Sequence, residues 1–165
     1  MEPEIKILSK KKLIGKHIKM SHADNRTPEL WKSFMPVKKS IRNHISNELI
    51  SMQVYNRPLD ITTFNPHLIF EKRAAVEVSS FDEIPDGMEQ YTLQGGLYAV
   101  FVHKGTELTA HLTFNYIFTN WFPSSGYDID NREHFEILGE KYKNGDPDSE
   151  EEIWIPIKRK SNINP

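Results

Sequence analysis

Hydrophobic and polar residues alternate along two short stretches near the C-terminal end of the chain, 134–138 and 153–157. Alternation with a period of two is typical of a β-strand whose two faces have different surroundings. In the first stretch Glu136 and Leu138 point to the same side, and in the second three isoleucines face away from Trp154. We predict that the two strands pair as a hairpin, with Glu136 and Trp154 together on its less apolar face.

Period-two patterns predict further strands along the rest of the chain. Residues 1–12 are mostly polar around a few apolar positions, which suits an edge strand. Gly95 and Gly96 separate two alternating runs, a strong local signal for a hairpin. The prolines of 56–67 indicate a loop. The predicted strands cover 13–20, 49–55, 68–78, 88–93, 97–103, 134–139 and 152–158.

Two segments carry apolar residues at helical spacing. The first has Thr27 as its N-cap and Pro28 at the first helical position. Pro36 should end or kink this helix, and we predict a second helical segment over 37–45. The other helix is predicted over 108–121, where an apolar stripe suits packing on a sheet. That stripe consists of Phe114, Ile117, Phe118 and Trp121.

The order of the predicted elements nearly repeats itself. It is strand, helix, strand, strand, and then strand, strand, helix, strand, strand. We therefore expect a single domain over 1–165, made of two pseudo-symmetric βαββ modules at about 1–80 and 81–165. Helices on one side of antiparallel sheets give the α+β class. A ligand cleft is expected between the two modules.

Composition excludes several classes of function. The net charge of −2 gives no electrostatic footprint for nucleic acid, and residues 1–12 are too short for a helix-turn-helix, so we expect no direct DNA binding. With a mean hydropathy of −0.58, no stretch of the sequence is apolar and long enough to span a membrane. There is no cysteine, which excludes disulfides and thiolate chemistry. Together with the absence of a signal-peptide pattern, this predicts a cytoplasmic protein.

Familiar catalytic and cofactor motifs are missing from the sequence. The seven histidines show no spacing typical of a metal site. No serine stands in a nucleophile elbow, and no glycine-rich loop is present to hold a phosphate. We expect no metal and no cofactor. Any enzymatic chemistry would need Glu136 as a general base with a tyrosine or tryptophan nearby as donor.

Six runs from residue 75 onward form a recognisable set, namely 75–78, 84–88, 96–105, 121–127, 135–136 and 153–158. In their order and spacing they resemble the gyrase-inhibitor-like, AraC-type effector-binding domain family. The first half matches through its element order and through Tyr55 at the end of a strand. The resemblance implies two βαββ modules, a ligand cleft between them, and a carboxylate at the Glu136 position that contacts cationic aromatic or lipophilic ligands.

Glu136 is the first candidate for the binding site, as the anionic floor of an aromatic pocket. The sequence leaves two roles open for the aromatic candidates, because Trp154 and Trp31 suit core packing as well as ligand stacking. Tyr55 could equally form a cross-strand aromatic pair. Tyr98 and Phe101 fall on opposite faces of one strand, so only one of them can line the cleft. The predicted ligand-binding residues are Glu136, Trp154, Tyr55, Trp31, Leu138, Phe101 and Trp121.

Our leading hypothesis is a free-standing domain that binds small, lipophilic, cationic aromatic molecules. The second hypothesis is a small-molecule hydrolase that uses Glu136 to activate water. The third is a protein that acts on a protein partner, either as an inhibitor of a topoisomerase or as the sensor subunit of a separate transcription regulator.

Overall fold

The computed structural model describes residues 1–60 and 63–161. Residues 61 and 62, within the predicted loop 56–67, lie outside the described residues. The helical elements are α1 (Thr27–Phe34), a 3-10 helix (Met35–Ser40), α2 (Glu107–Tyr116), a π-helical turn (Ile117–Trp121) and α3 (Phe122–Ser124). The strands are β1 (Glu4–Leu8), β2 (Lys11–Met20), β3 (Leu49–Val54), β4 (Phe70–Val78), β5 (Glu89–Leu93), β6 (Gly96–Lys104), β7 (Tyr127–Ile129), β8 (His134–Leu138) and β9 (Glu150–Arg159).

The strands of the described chain form one antiparallel sheet in the order β1-β6-β9-β8-β3-β4-β2-β5, with β7 paired to β9. Two βαββ units can be traced in it, β2-α1-β3-β4 and β6-α2-β8-β9. They meet where β3 pairs with β8, from Leu49 opposite Leu138 to Gln53 opposite His134. The α+β class and the two pseudo-symmetric modules are confirmed, and the modules share one continuous sheet. The edge strand predicted within residues 1–12 is β1.

The predicted hairpin around Gly95 and Gly96 is wrong, although both of its strands exist. Among the described residues β5 pairs with β2 and β6 pairs with β1 and β9. Only Ser9 and Lys10 join β1 to β2, so the two ends of the sheet must approach each other and the sheet curls. Gly95 carries the chain from β5 to β6 at this closure, with φ of +86°, and a Cβ there would lie 2.3 Å from the Leu8 carbonyl oxygen.

Curling divides the apolar side chains into an inner and an outer set. The outer set lies under the helices. One outer cluster packs α1 on β2 and β4, and the other packs α2 and the π-helical turn on β6 and β9. The inner set fills the concave side of the sheet, where the chain has no helix in its described part. That inner cluster contains Leu8, Leu13, Ile50, Met52, Ala75, Leu93, Tyr98, Val100, Phe135 and Trp154.

The helices differ from their predicted limits at three places. The first helix has Arg26 at the N-cap position, with no side-chain cap, so it begins at Thr27 rather than after it. The segment predicted over 37–45 is instead the short 3-10 helix, because beyond Ser40 the chain becomes extended and His44 bridges to β4. The predicted helix 108–121 contains a π-helical turn in its last part, where Ile117 and Trp121 are buried.

Candidate functional site

The two central strands of the sheet, β3 and β8, lie between the two helices. The α1 helix packs on the neighbouring strands through Leu30 and Phe34, and the π-helical turn does so on the other side through Ile117 and Trp121. The helix-side face of β3 and β8 therefore lies between the two helices at the junction of the modules, and we call this face, with the adjoining parts of β4 and β9, the cleft floor. Clefts at such junctions are common sites for small ligands.

Glu136 projects from β8 onto this floor, where Ser51 is its direct partner in β3. The side-chain amide of Gln53 donates a hydrogen bond of 3.4 Å to Glu136 Oε1, which is long for such a bond. The other oxygen, Oε2, is buried and has no hydrogen-bond partner in the described part of the chain. Burial raises the pKa of Glu136, and the nearby charge of Lys72 and the Gln53 hydrogen bond partly offset that rise.

Two more charged side chains lie on the same face. Lys72 is on β4, directly opposite Gln53, and is 7% exposed. Glu151 is on β9, two residues before the Ile153 that pairs with Glu136. Burial lowers the pKa of Lys72, against the charges of Glu136 and Glu151. Burial and the charge of Glu136 raise the pKa of Glu151 to about 7. The floor thus combines two carboxyl groups with one amine.

Aromatic rings of the first module lie beside these three charged side chains. The Tyr55 ring follows β3, and its centroid is 5.1 Å from that of Phe70 and 5.2 Å from that of His134. Burial raises the pKa of Tyr55, and the charge of Glu136 adds to the rise. Burial also lowers the pKa of His134 to about 3, so its imidazole is neutral at ordinary pH. Tyr55 therefore presents a neutral phenol close to Glu136, from the opposite module.

Trp154 lies on the other face of the sheet from Glu136. Strands β8 and β9 do pair, but Phe135 is opposite Trp154 and Glu136 is opposite Ile153. The prediction that Glu136 and Trp154 share a face is wrong. Directly opposite residues share a face, and a shift by one residue exchanges the faces of a strand. The Trp154 ring stacks on Phe135, with centroids 5.2 Å apart, inside the curled sheet.

The remaining predicted residues are all on the helix side of the sheet. Leu138 is on the same face of β8 as Glu136 and is partly buried. Phe101 and Trp121 contact each other edge to face, with centroids 5.3 Å apart, in the core under α2. Trp31 makes a similar contact with Phe34 at 5.8 Å, and packs on the cluster under α1. Their contact with a ligand stays a prediction.

Two concave regions lie elsewhere on the molecule. One is a cavity of about 20 Å³ near Lys11 and Glu77, which is room for about one water molecule. The other is an open groove of about 420 Å³ lined by the 58–60 segment, Phe122–Pro123 and the end of β9. Neither includes Glu136 in its lining. We place the candidate site at Glu136 because a buried carboxylate oxygen without a partner is a stronger sign of a binding site than concavity alone.

Sequence reasoning missed several floor residues although the chain contained a signal for two of them. Lys72 alternates in phase with Phe70 and Ala74, so the pattern places a charged side chain on a strand face that is otherwise apolar. Glu151 alternates in the same way with Ile153. Gln53, Phe70 and His134 carried no comparable signal, because polar and aromatic residues are ordinary in strands. Only the pairing of β3 with β4 and β8 brings these side chains together.

The described residues contain neither a group of side chains suited to a metal ion nor a helix suited to crossing a membrane. In 1–60 and 63–161 no three histidine, aspartate or glutamate side chains form a group that could hold a metal. Within the same ranges no helix is long and apolar enough to cross a bilayer.

Comparison with known proteins gives relatives of several kinds. A transcriptional regulator, BrlR of Pseudomonas aeruginosa, is 26% identical over 130 residues, which cover 78% of this chain and 45% of the regulator. The chain therefore spans about half the length of this curated relative. The structure of SAV2435 bound to tetraphenylphosphonium is similar with a TM-score of 0.67 at 16% identity, over 96% of this chain and 94% of the other.

A hydrolase from Listeria innocua has the same fold, with a TM-score of 0.58 at 10% identity over 95% of this chain and 92% of the hydrolase. The family model for the GyrI-like small molecule binding domain matches residues 1–158, which include every strand of the sheet except the last residue of β9. With a fold of two joined βαββ modules and a match of this extent, the chain belongs to the GyrI-like small molecule binding domain family.

Proposed function

We propose that this domain binds small lipophilic cations in the cleft between its modules, with Glu136 as the group that receives the positive charge. One observation carries the proposal, namely the buried Oε2 atom of Glu136 that has no partner in the described chain. A buried carboxylate is costly unless a positive charge or a donor reaches it. A cationic ligand would supply that charge, and Tyr55 and Phe70 would supply aromatic surface beside it.

The similar structure that is bound to tetraphenylphosphonium supports this ligand class. Tetraphenylphosphonium is an aromatic cation without a hydrogen-bond donor, so its recognition must depend on rings and on charge. Our chain offers both at the floor of the cleft. A desolvated contact between a cation and an aromatic ring contributes on the order of 2 kcal/mol.

The test compares tetraphenylphosphonium with neutral triphenylphosphine oxide by titration calorimetry, on wild-type protein and on Glu136→Gln. We expect the variant to bind the cation at least about tenfold more weakly, or about 1.4 kcal/mol. The neutral compound should bind the two proteins alike. The melting temperature of the variant should be equal or higher, because an unpaired buried charge has been removed.

The matched control is Glu140→Gln, which removes an exposed carboxylate from the loop after β8. It should leave both affinities unchanged. Equal binding of the cation by wild-type protein and Glu136→Gln would show that Glu136 does not receive the charge, and the proposal would be wrong.

A hydrolase is the second candidate, because burial raises the pKa of both Glu136 and Glu151 and so makes their carboxylates more basic. The fold shared with a hydrolase is compatible with it. Turnover of activated esters or epoxides that disappears in Glu136→Gln would favour catalysis over binding alone. Action on a regulator or topoisomerase partner, the absence of direct DNA binding and a cytoplasmic location all stay predictions.

A further inference from the structure

The cleft floor carries a buried lysine that binding of a simple cation does not use. Lys72 is 7% exposed, and its strand β4 lies next to β3, which in turn lies next to β8. Gln53 stands between them, opposite Lys72 on one side and opposite His134 on the other, and it donates to Glu136. Amine, amide and carboxylate therefore follow one another across three neighbouring strands.

The two opposite charges do not pair with each other. Across residues 1–60 and 63–161, Lys72 takes part in no ion pair or side-chain hydrogen bond, and Glu136 takes part in no ion pair. Each is close enough for its charge to act on the other, since Lys72 lowers the pKa of Glu136 and Glu136 raises that of Lys72. Burial of a charge costs several kcal/mol unless the charge is paired. Both side chains are largely buried and Glu136 Oε2 has no hydrogen-bond partner in the described chain, so a ligand that bridges them would recover part of that cost.

Neither Glu151 nor Tyr55 supplies a partner for both Lys72 and Glu136. Glu151 also acts on Lys72 through its charge, but it makes no ion pair with it, and its strand lies beyond β8 on the far side of Glu136. Tyr55 is a neutral phenol near Glu136. The lysine is thus the one cationic side chain on the described floor, facing two carboxyl groups.

We propose that the preferred ligand is an aromatic zwitterion, whose cationic group meets Glu136 and whose carboxylate or similar anionic group meets Lys72. This inference rests on the proposed function and narrows its ligand class. Neighbouring strands lie about 4.8 Å apart, so β4 and β8 are roughly 10 Å apart across β3. Lys72 and Glu136 are also offset by two residues along β3, or about 7 Å, and side chains that lean toward each other shorten the distance between their charges. The two charges of the ligand should therefore be separated by roughly 5–10 Å. A simple cation satisfies Glu136 and leaves Lys72 without a partner.

A pair of dyes tests the proposal directly. Rhodamine B at pH 8 carries a xanthylium cation and a carboxylate, whereas its ethyl ester keeps the cation and lacks the anion. We expect wild-type protein to bind rhodamine B at least tenfold more tightly than the ester in a fluorescence anisotropy titration. Lys72→Met, which keeps the length of the side chain and removes the amine, should lose or reverse this preference. Lys39→Met removes an exposed lysine and should keep it.

The outcomes separate this inference from the proposed function. If wild-type protein binds neither dye and does not bind tetraphenylphosphonium, the proposed function itself fails. If wild-type protein binds both dyes with equal affinity, the cation proposal stands and the zwitterion inference is overturned. The comparison on wild-type protein decides the matter even if Lys72→Met does not fold. In that case Lys72→Arg, which keeps the positive charge, should keep the preference for rhodamine B.

Discussion

At the scale of single residues, the cleft floor is defined by charged side chains that are wholly or partly buried and that form no ion pair with one another in the described part of the chain. Glu136, Glu151 and Lys72 come from three different strands and meet on one face. Each would be an ordinary surface residue if its strand face were exposed. Burial makes the charged form of each less favourable, which is why the pKa of both carboxyl groups rises and that of the amine falls. Burial of these charged groups therefore costs stability in the free protein.

Glu151 allows a test of this cost in the absence of ligand. Its pKa is raised from 4.5 to about 7, so between these two values the folded protein holds a proton that the unfolded chain has released. The contribution of protonated Glu151 to the free energy of unfolding is therefore fully present below pH 4.5, and it is lost as the pH rises to about 7. Glu151→Gln should abolish that loss and be more stable than wild type at pH 8, with little difference at pH 4.

One pKa unit corresponds to about 1.4 kcal/mol, and partial exposure of Glu151 reduces the effect, so we expect a gain on the order of 1–2 kcal/mol at pH 8. Urea denaturation of both proteins at the two pH values measures it. The exposed control Glu140→Gln should show no such gain. A Glu151→Gln variant that is less stable than wild type at pH 8 would mean that the carboxylate is stabilised in the folded state, contrary to this account.

At the scale of elements, pairing decides which residues meet. Alternation located β8 and β9 correctly, but the register places Trp154 opposite Phe135 and so turns the indole into the inner cluster. The strands β5 and β6 also exist as predicted, and yet each pairs with a distant strand. A two-residue connection with glycine usually closes a hairpin. Here the connection crosses from one end of the curled sheet to the other.

Gly95 is the residue on which this crossing depends. Its φ of +86° disfavours any residue with a Cβ, and that Cβ would also lie 2.3 Å from the Leu8 carbonyl oxygen. Gly87 has a similar φ of +79°, with no atom within 4 Å of the added carbon, and is therefore a matched control. The left-handed conformation costs roughly 1–2 kcal/mol for a residue other than glycine, and this cost is common to both positions.

We expect Gly95→Ala to be at least about 1 kcal/mol more destabilising than Gly87→Ala, because the backbone of β1 must also move. Chemical denaturation of the two variants gives this difference. Equal losses of stability in the two variants would show that the close approach of residue 95 to the Leu8 carbonyl does not constrain the crossing from β5 to β6.

At the scale of the whole molecule, the two modules are joined in more than one way. The β3–β8 ladder makes their sheets continuous. In addition β1, which precedes the first module, pairs with β6 of the second, while β5, which precedes the second, pairs with β2 of the first. Each module therefore completes its sheet with a strand that belongs to the other half of the chain. Neither half could bury its sheet face or pair its edge alone.

This exchange leads us to predict a single cooperative unfolding transition for the domain. Differential scanning calorimetry should give one peak, with a calorimetric enthalpy equal to the van't Hoff enthalpy. A fragment covering 81–165 alone should be unfolded, because it lacks β1. Two well-separated transitions, or a stably folded fragment, would contradict the interlocked arrangement.

The sequence by itself determined most of the elements and the fold class, and it singled out Glu136 as the first candidate for the binding site. These follow from local features, since alternation, helical spacing and a carboxylate within an apolar strand can all be seen within about ten residues. The family resemblance extended them to a cleft between two modules. Lys72 and Glu151 also stood in phase with apolar neighbours, so the pattern already indicated that they share a strand face with buried residues.

Tertiary structure alone decided the register of β8 on β9, the exchange of β1 and β5, and the meeting of Lys72, Gln53 and Glu136. The physical reason is that strand pairing depends on residues far apart in the chain, and a shift of one residue reverses every face without changing the local pattern. Alternation states which residues of a strand share a side. Only the packing of the whole sheet states which side faces the helices, and hence that Glu136 faces the cleft while Trp154 faces the inner core.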